Sequence, residues 1–469
     1  MTKTISEQLA CEAKGLTFRE LPPEVVRQVK RCVLDTVGVG FAGYVSEPSQ
    51  IIQSLIKELK EPAESTVFGS GLKTSCLYAT LANGVMVRCR NYMDRTFPTK
   101  EATIQTGHNS ESIPPILAVG ERQHSSGQEV ITAIALAYQL LIKVSDSHGG
   151  IDGVTHRGWC SEAIRAPCVM GLMAGRLLGL NEEQMANALA IAGCFTLPLG
   201  ILVSPKEEMT MSRDLKFPSG AYSGILGALL AQKGFKGPLN VFEGHHGINE
   251  VVAAGAMSLE KLTQPTTDWT ILYTWIKRYA ANGCMQGHLD ATVTLVKEHD
   301  IKAEDVAEVR IRGTSHTYRS MANAATRRYP KNAETAGHSS FYTTAIAILD
   351  RAVGPEQFSE EKIKDPRVRE LADKISVEAD PKLEEFVSPG VVEITTKKGE
   401  KYRCEVLRPK GHPMNPMTDA DVEEKFRSMA GKFMDDRHMS RIVDTVYNLE
   451  KLDDVGELMN LLVIPGQTS

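Results

Sequence analysis

Apolar residues recur at helical spacing along the first half of the chain. The stripe that follows Pro22 has intervals of three and four residues, and Gly40 and Gly43 are expected to end it. Its members are Val25, Val26, Val29, Val33, Leu34 and Val37. The same period predicts further helices at Ser75–Val87, Glu129–Val144, Ala163–Leu178, Glu182–Ala192 and Ser219–Gln232. The pattern therefore predicts a helical region from Pro22 to about Leu262.

One predicted helix is apolar on nearly every side. The run from Val130 to Leu141 offers almost no polar face, which is typical of a helix buried all round. Such a helix needs a second layer of helices around it. Farther along, Asn181 and Gln184 have the spacing of a capping box, which predicts the beginning of the helix Glu182–Ala192.

After about Pro265 the pattern changes to the alternation of half-buried strands. Val306–Arg312 alternates, and Val391–Val406 does so on both sides of a turn predicted at Lys398-Gly399. The tail from Thr418 to Leu462 returns to helix. Its first helix is capped by Thr418 with Asp421, and its apolar face consists of Val422, Phe426 and Met429. The whole pattern predicts a mainly α protein with a smaller α+β domain, and a ligand site in the cleft between the two domains.

The composition excludes several classes of partner. The 469 residues include 53 Lys and Arg against 58 Asp and Glu, which gives a net charge of -5. Such a balance does not attract nucleic acid or an anionic membrane. Because the first residues contain no apolar core of a leader, we expect a cytoplasmic protein. The uncharged stretch Met185–Pro205 is interrupted by helix-breaking residues, so it predicts a buried helix and a turn, not a membrane span.

Cysteine and histidine spacing argues against a metal site. The nine cysteines are scattered and form no C-x-x-C pair, and the 12 histidines form no H-x-x-x-H. Disulfides, a zinc site and an iron–sulfur cluster are therefore not expected. We predict no cofactor.

Several segments stand out by their order and spacing along the chain. They are Lys30-Arg-Cys-Val-Leu-Asp-Thr-Val-Gly, Gly107-His-Asn-Ser-Glu, Arg157-Gly-Trp-Cys, Arg176-Leu-Leu-Gly-Leu, Ile276-Lys-Arg-Tyr, Glu334-Thr-Ala-Gly-His-Ser-Ser-Phe-Tyr and Arg408-Pro-Lys-Gly-His-Pro-Met-Asn-Pro-Met. Together these segments resemble the MmgE/PrpD family, whose members include 2-methylcitrate dehydratases, cis-aconitate decarboxylases and an iminodisuccinate epimerase. The resemblance covers nearly the whole chain.

The resemblance implies a particular architecture and chemistry. A large helical domain is expected from residues 1–265 and 410–469, and an α+β lid domain from residues 266–409. The family's pattern implies a homodimer with a cofactor-free active site between the domains. Its substrates are small di- or tricarboxylates. The reaction removes a proton next to a carboxylate, and then water or carbon dioxide is lost or the proton returns.

Five site residues follow from matching motifs. His108 lies in a polar stretch without helical period, which predicts a loop. Lys277 and Tyr279 match a segment in which the lysine faces the substrate, where an ammonium stabilises an enolate-like intermediate. His288 follows at the family's spacing, and Tyr342 lies at a helix start bordering the pocket. Structural roles are the alternatives: a surface loop for His108, a solvated surface for Lys277 and core packing for His288.

A second group of residues is expected to bind carboxylates. Arg213 stands where the family has a lysine, and Lys216 follows three residues later. The planar fork of arginine suits a bidentate carboxylate, but its pKa above roughly 12 makes it a poor acid or base. His338 lies four residues before Tyr342, so the two are expected to share one helix face. Surface exposure and helix-start packing are the alternatives.

Two departures from the family pattern put the usual reaction in doubt. Asn91 stands where the family has its first acid, so Asp94 is expected to take over this role. In an alternative alignment, shifted by one residue, Thr96 matches the family threonine. Cys160 stands where the family has an active-site histidine. An asparagine cannot act as a base, and a thiol does so only if its pKa is lowered. Buried packing is the alternative for Cys160.

Three functions follow. The first is a cofactor-independent lyase, a dehydratase or decarboxylase, that uses the catalytic candidates Asp94, His108, Cys160, Lys277 and Tyr342. The binding candidates are Asn91, Thr96, Arg213, Lys216, Tyr279, His288 and His338. The alternatives are an isomerase or epimerase that returns the proton, and a family member without activity.

Overall fold

A computed structural model of the chain describes residues 3–102, 107–150, 152–195, 198–204, 208–265 and 268–467. Helices dominate the amino-terminal half. They are α1 (Ile5–Gly15), α2 (Pro23–Tyr44), α3 (Glu47–Leu59), α4 (Cys76–Arg88), α5 (Ile113–Arg122), α6 (Gly127–Ser147), α7 (Asp152–Thr155), α8 (Glu162–Leu177), α9 (Glu182–Gly193), α10 (Lys216–Gln232), α11 (Ile248–Val251) and α12 (Glu260–Thr263). Short strands accompany them, namely β1 (Ser65–Thr66), β2 (Lys73–Thr74) and β3 (Arg95–Thr96).

The carboxy-terminal half mixes helices and strands. Its helices are α13 (Gln286–Glu298), α14 (Ser315–Met321), α15 (Ala325–Arg328), α16 (Ala333–Ala336), α17 (Ser340–Asp350), α18 (Glu360–Lys364), α19 (Pro366–Asp373), α20 (Asp419–Ala430), α21 (Asp436–Tyr447) and α22 (Gly456–Leu461). Its strands are β4 (Thr274–Trp275), β5 (Val306–Gly313), β6 (Ile375–Ala379), β7 (Gly390–Thr396) and β8 (Lys401–Val406). The fold is thus mainly α with a smaller α+β part, as predicted.

Most local predictions are confirmed. The predicted helices correspond to α4, α6, α8, α9 and α10, within a few residues at each end. The capping boxes at Asn181 and Thr418 are both formed. The strand predicted around Val306 is β5, and the predicted hairpin is β7 and β8, with Gly399 at a φ of 85° between them. Local periodicity and capping chemistry were sufficient here because both act within a few residues.

The predicted end of the second helix is wrong. Helix α2 continues through Gly40 and Gly43 to Tyr44. A Cβ atom at Gly43 would lie 1.9 Å from the carbonyl oxygen of Met86 on α4. These glycines therefore permit two helices to approach closely, and they do not end the helix.

Two hydrophobic cores organise the molecule. The first combines helices from both ends of the chain, and its members include Val33, Ile134 and Phe426. The second includes Leu289 of α13, Ile346 of α17 and Val392 of β7. It surrounds a sheet with strand order β6-β5-β7-β8, in which β5 and β6 are parallel and the other pairs antiparallel. The tail helix α20 packs on α2, where Lys425 and Asp35 form a buried ion pair of 2.6 Å.

Helix α6 is the apolar helix that the sequence singled out. It is the one described helix that is long and apolar enough to cross a membrane. However, 94% of its most apolar window is buried inside the protein. This burial matches a central core helix surrounded by others, including α2, α5 and α8.

Candidate active site

A two-residue ladder joins three distant segments of the chain. Strand β3 pairs antiparallel with β4, so that Arg95 lies opposite Trp275 and Thr96 opposite Thr274. Thr96 also forms a β-bridge with Gly107. The backbone N–H and the Oγ1 hydroxyl of Thr96 donate to the Gly107 carbonyl over 3.0 and 3.1 Å. The ladder brings the residues next to these strands into one region, where the two hydrophobic cores meet.

His108 follows Gly107 in this ladder and has a defined tautomer. It lies outside any helix or strand, as predicted. Its Nδ1 contacts the backbone carbonyl of Asp94, which can only accept a hydrogen bond. Nδ1 therefore carries the proton and Nε2 has the lone pair. Burial, together with the charges of Lys277 and Arg88, lowers the pKa of His108 well below its ordinary value, so the ring is a neutral base at neutral pH.

Asp94 is a buried carboxyl surrounded by hydroxyl and amide donors. Its Oδ1 accepts from the Ser110 hydroxyl over 2.7 Å and from the Ser110 backbone N–H over 3.2 Å. Its Oδ2 accepts from the Tyr138 hydroxyl over 2.9 Å. Burial outweighs these donors and raises the pKa of Asp94 to about 6. This carboxyl can therefore exchange a proton near neutral pH.

Replacing Asp94 by asparagine is expected to make the protein more stable above about pH 7. Because the folded pKa of about 6 lies above the ordinary 3.8, the folded state holds the proton more tightly, and stability falls as pH rises between these values. Asp94→Asn removes this fall and gains up to about 3 kcal/mol. Urea unfolding of both proteins at about pH 4 and about pH 8 measures the effect.

The control for this experiment is Asp453→Asn, which changes an exposed carboxyl. It should leave the pH dependence of unfolding as it is in the unmodified protein. An Asp94→Asn variant that is less stable than the unmodified protein at the higher pH would contradict the raised pKa.

Lys277 is fully buried, and its hydrogen-bond partners among the described residues are neutral. Its ammonium contacts the Asn91 backbone carbonyl, and it donates to Asn91 Oδ1 over 3.2 Å and to the Ala281 carbonyl over 3.1 Å. Asn91 has a φ of 49°, a left-handed conformation that asparagine tolerates better than most residues. Burial lowers the pKa of Lys277 well below its ordinary value, and the neighbouring cations Lys425, Arg95, Arg213 and Arg88 lower it further. An anion beside Lys277 would relieve this repulsion.

Arg213 lies in the same region and contacts His338. Its guanidinium donates to His338 Nε2 over 3.5 Å, while Nδ1 of this ring donates to the Glu334 carbonyl over 2.7 Å. Its one ion-pair partner among the described residues is Asp214, at 3.3 Å. Burial raises the pKa of Asp214 to about 7, so this carboxyl compensates the guanidinium only in part. Arg213 and Asn91 both line a small cavity.

Lys216 belongs to a buried ion network that the sequence analysis missed. Its ammonium pairs with Glu162 over 3.0 Å. Arg88 lies 2.6 Å from Glu111 and 3.6 Å from Glu162, and Arg165 lies 3.7 Å from Glu162. Although burial opposes ionisation, Lys216, Arg88 and Arg165 hold the pKa of Glu162 well below its ordinary value. A charged residue inside an otherwise apolar run, such as Arg88 near the end of α4, was the available signal.

Cys160 lies beside this network as a buried thiol. Its Sγ donates to the Leu199 carbonyl over 3.1 Å. Burial raises its pKa, although the charges of Lys216, Arg88 and Arg213 oppose the rise. This direction is opposite to the one that a thiolate base requires.

Three candidate residues have other surroundings. The Tyr279 hydroxyl donates to Asp290 over 2.9 Å, and the Tyr342 hydroxyl donates to the Gln357 carbonyl over 2.5 Å. His288 is buried on α13, and neither ring nitrogen has a hydrogen-bond partner among the described residues. Burial alone lowers its pKa to about 3. None of the three takes part in the hydrogen bonds and ion pairs that surround His108 and Lys277 in the described structure.

The expectation that His338 and Tyr342 share a helix face is wrong. Helix α17 begins at Ser340, and Ser339 caps it by accepting from the Tyr342 N–H. His338 therefore precedes the helix and turns toward Arg213, while Tyr342 points toward Gln357. The capping residue has a non-helical backbone conformation, so the side chains of His338 before it and Tyr342 after it point in different directions.

The arrangement combines a proton acceptor with an excess of positive charge. His108 supplies a basic Nε2, while among the described residues Lys277 has no ion-pair partner within 4.0 Å and Arg213 pairs with Asp214 alone. Among the described residues, no trio of ligating atoms in this region is close enough to share a metal ion. The group can bind an anion and can move a proton beside it.

Comparison with known proteins identifies related chains. The MmgE/PrpD N-terminal domain matches residues 7–260, and the MmgE/PrpD C-terminal domain matches residues 279–449. Cis-aconitate decarboxylase of Homo sapiens is 26% identical over 99% of this chain and 96% of its own length. The protein of the same name from Aspergillus terreus (strain NIH 2624 / FGSC A1156) is 24% identical over 98% and 96%. The mitochondrial 2-methylcitrate dehydratase of Yarrowia lipolytica is 23% identical over 86% and 79%. Because the two domain matches together span most of its length, this chain belongs to the MmgE/PrpD family.

Proposed function

We propose that the protein is a lyase that acts on a small di- or tricarboxylate by moving a proton next to a carboxylate, without a cofactor. The observation that carries this proposal is the buried Lys277 side chain, whose nitrogen contacts neutral oxygens in the described structure and which lies close enough to His108 to lower the pKa of that ring. A base beside an uncompensated cation suits a reaction whose intermediate is a carbanion conjugated to a carboxylate.

The roles follow from charge and protonation. Arg213 and Lys277 attract the carboxylates of the substrate. When a carbon–hydrogen or carbon–carboxylate bond breaks, the electron pair remains on carbon and spreads onto the adjacent carboxylate. The cations stabilise this charge. When a carbon–hydrogen bond breaks, His108 Nε2 takes the proton. When carbon dioxide leaves, Nε2 first takes a proton from solvent, which the negative charge of the bound substrate favours, and then delivers it to the carbanion. The Asp94 carboxyl, with a pKa of about 6, is a second group able to exchange a proton.

Cis-aconitate is the first substrate to test. The two relatives named cis-aconitate decarboxylase that are described above are matched over 96% of their own length, against 79% for the one named 2-methylcitrate dehydratase. This difference supports loss of carbon dioxide over loss of water. The raised pKa of Cys160 gives no support to a thiolate that would return a proton as an epimerase does.

Proton NMR of the purified protein in deuterated buffer tests the proposal. Cis-aconitate, citrate and 2-methylcitrate are offered separately, and the expected result is loss of carbon dioxide from cis-aconitate with one solvent deuterium in the product. Loss of water from 2-methylcitrate would make the protein a dehydratase. Deuterium in recovered substrate without any loss would favour an isomerase. No change in any substrate, with no binding by calorimetry, would overturn the proposal.

Replacing Arg213 by glutamine is expected to raise KM more than it lowers kcat. The guanidinium binds a carboxylate in ground state and transition state alike, so its loss weakens binding about tenfold to a hundredfold. Steady-state kinetics with cis-aconitate measures both constants. Arg437→Gln, an exposed arginine on α21, is the control and should change neither. A fall in kcat at constant KM would instead assign Arg213 to the transition state.

The assembly and location are also proposals. We propose a homodimer, which the family resemblance implies, and a location in the cytoplasm. Light scattering of the purified protein measures its mass in solution, and fractionation of the source cells measures its location.

A further inference from the structure

A cluster of metal-ligating side chains lies at the surface, apart from the candidate active-site residues. His245, His246 and Glu250 are all exposed, and one ligand atom of each lies within 4.8 Å of the others. The two imidazole rings have centroids 3.7 Å apart and an angle of 32° between their planes. Consecutive residues rarely direct their side chains to one point, so this proximity depends on an unusual local backbone conformation.

The backbone of this loop folds the two histidines together. His246 has a φ of 58°, in the left-handed region that a residue with a side chain rarely adopts. Its N–H donates to Glu250 Oε2 over 2.6 Å, which leaves Glu250 Oε1 able to bind a further group. The turn is closed by hydrogen bonds from Gly244 N–H to the Asn240 carbonyl over 2.7 Å and from Ile248 N–H to the Val241 carbonyl over 2.8 Å.

The loop is also attached to the rest of the protein. Phe242 is fully buried in the first hydrophobic core, and Ile248 is buried beside it. Glu243 Oε1 accepts from the Ile5 N–H at the start of α1 over 3.1 Å. The loop therefore holds its two histidines on an anchored backbone, and little ordering is required when they bind a common partner.

We propose that His245, His246 and Glu250 bind one divalent transition-metal ion, with Zn²⁺, Ni²⁺ and Cu²⁺ as the class and solvent in the open positions. Two imidazoles and a carboxylate suit these ions, whereas Mg²⁺ and Ca²⁺ require oxygen ligands. Donors bound to one Zn²⁺ at about 2.0–2.1 Å lie roughly 3.3–3.5 Å apart in tetrahedral geometry. Rotation of three exposed side chains is sufficient to reach this spacing from the observed one.

Metal binding here would restrain the segment between α10 and α12. The ion would join the loop to α11, because Glu250 belongs to that helix. Since Glu243 of the same loop binds the start of α1, the amino terminus would be restrained with it. Slower hydrogen exchange of the amides from Asn240 to Val251 in the presence of metal is the expected structural signature.

Calorimetric titration of the untagged full-length protein with ZnCl₂, and separately with NiCl₂, tests the proposal. One saturable site is expected, and MgCl₂ should not compete for it. His245→Ala and Glu250→Gln should each raise Kd by at least about tenfold. His124→Ala removes another exposed histidine, which pairs with Asp454 over 2.7 Å, and it should leave Kd unchanged.

Several outcomes would overturn the inference. Binding that persists unchanged in both His245→Ala and Glu250→Gln would locate the metal elsewhere. Absence of saturable binding would show that the cluster holds no ion. The altered side chains are exposed, so the variants are expected to fold, and circular dichroism checks this. Turnover is not needed as a readout, so failure here is distinguishable from failure of the proposed lyase activity.

Discussion

Replacing Lys277 by methionine is expected to lower kcat by about 10²–10³-fold. In the described structure the buried Lys277 nitrogen has neutral hydrogen-bond partners. A bound carboxylate would favour its charged form, which can stabilise a carbanion on the substrate. Methionine keeps much of the volume of the lysine side chain and removes the charge. Steady-state kinetics with cis-aconitate, or with whichever carboxylate the NMR experiment identifies, measures the loss.

The stability of this variant separates chemistry from folding. Removing a buried charge without an anionic partner relieves a desolvation cost, so the temperature of unfolding should not fall greatly. Arg278→Met is the matched control, because the next residue is a half-exposed cation paired with Asp290 over 3.0 Å. An exposed pair contributes little to stability. Equal activity of Lys277→Met and the unmodified protein would remove the central support of the proposed function.

Replacing His108 by glutamine is expected to lower kcat by about 10²–10⁴-fold. Glutamine can donate to the Asp94 carbonyl as His108 Nδ1 does, but its amide provides no basic nitrogen in place of Nε2. The loss should therefore appear in kcat, while the binding of carboxylates by Arg213 and Lys277 persists. Kinetics and calorimetry on the same preparation measure the two quantities.

The pH profile adds a second readout for His108. Because burial and the charges of Lys277 and Arg88 lower the pKa of the ring, the base form should persist as pH falls through the ordinary histidine value of about 6.5. Loss of activity with an apparent pKa at or above this value would contradict the assignment. His124→Gln, which changes an exposed ring, is the control and should keep the full rate.

The sequence by itself determined the local elements of this protein. The stripe after Pro22, the apolar run from Val130 to Leu141 and the capping boxes at Asn181 and Thr418 all predicted helices that form. They did so because side-chain periodicity and capping hydrogen bonds act within one or two helical turns. The order of the motifs was also sufficient to predict the family, because motif order can be read from the sequence without knowing which residues contact each other in the fold.

The site was only partly predictable. Motif matching selected His108, Lys277 and Arg213, which the structure brings into one electrostatic neighbourhood. It also selected Tyr342 and His288, whose side chains have other partners or none in the described structure. A motif gives a position along the chain, whereas a cap residue or a change of backbone direction decides where the side chain points.

Tertiary structure alone decided how the distant segments meet. The pairing of Arg95 with Trp275, and of Thr96 with Gly107, depends on contacts between residues far apart in sequence, and no local pattern predicts such a register. The continuation of α2 through Gly43 depends on the backbone of α4, and the charge state of Glu162 depends on cations from three helices. Periodicity is a property of neighbours in sequence, whereas burial and ion pairing are properties of neighbours in space, and the second kind determines the chemistry of the site.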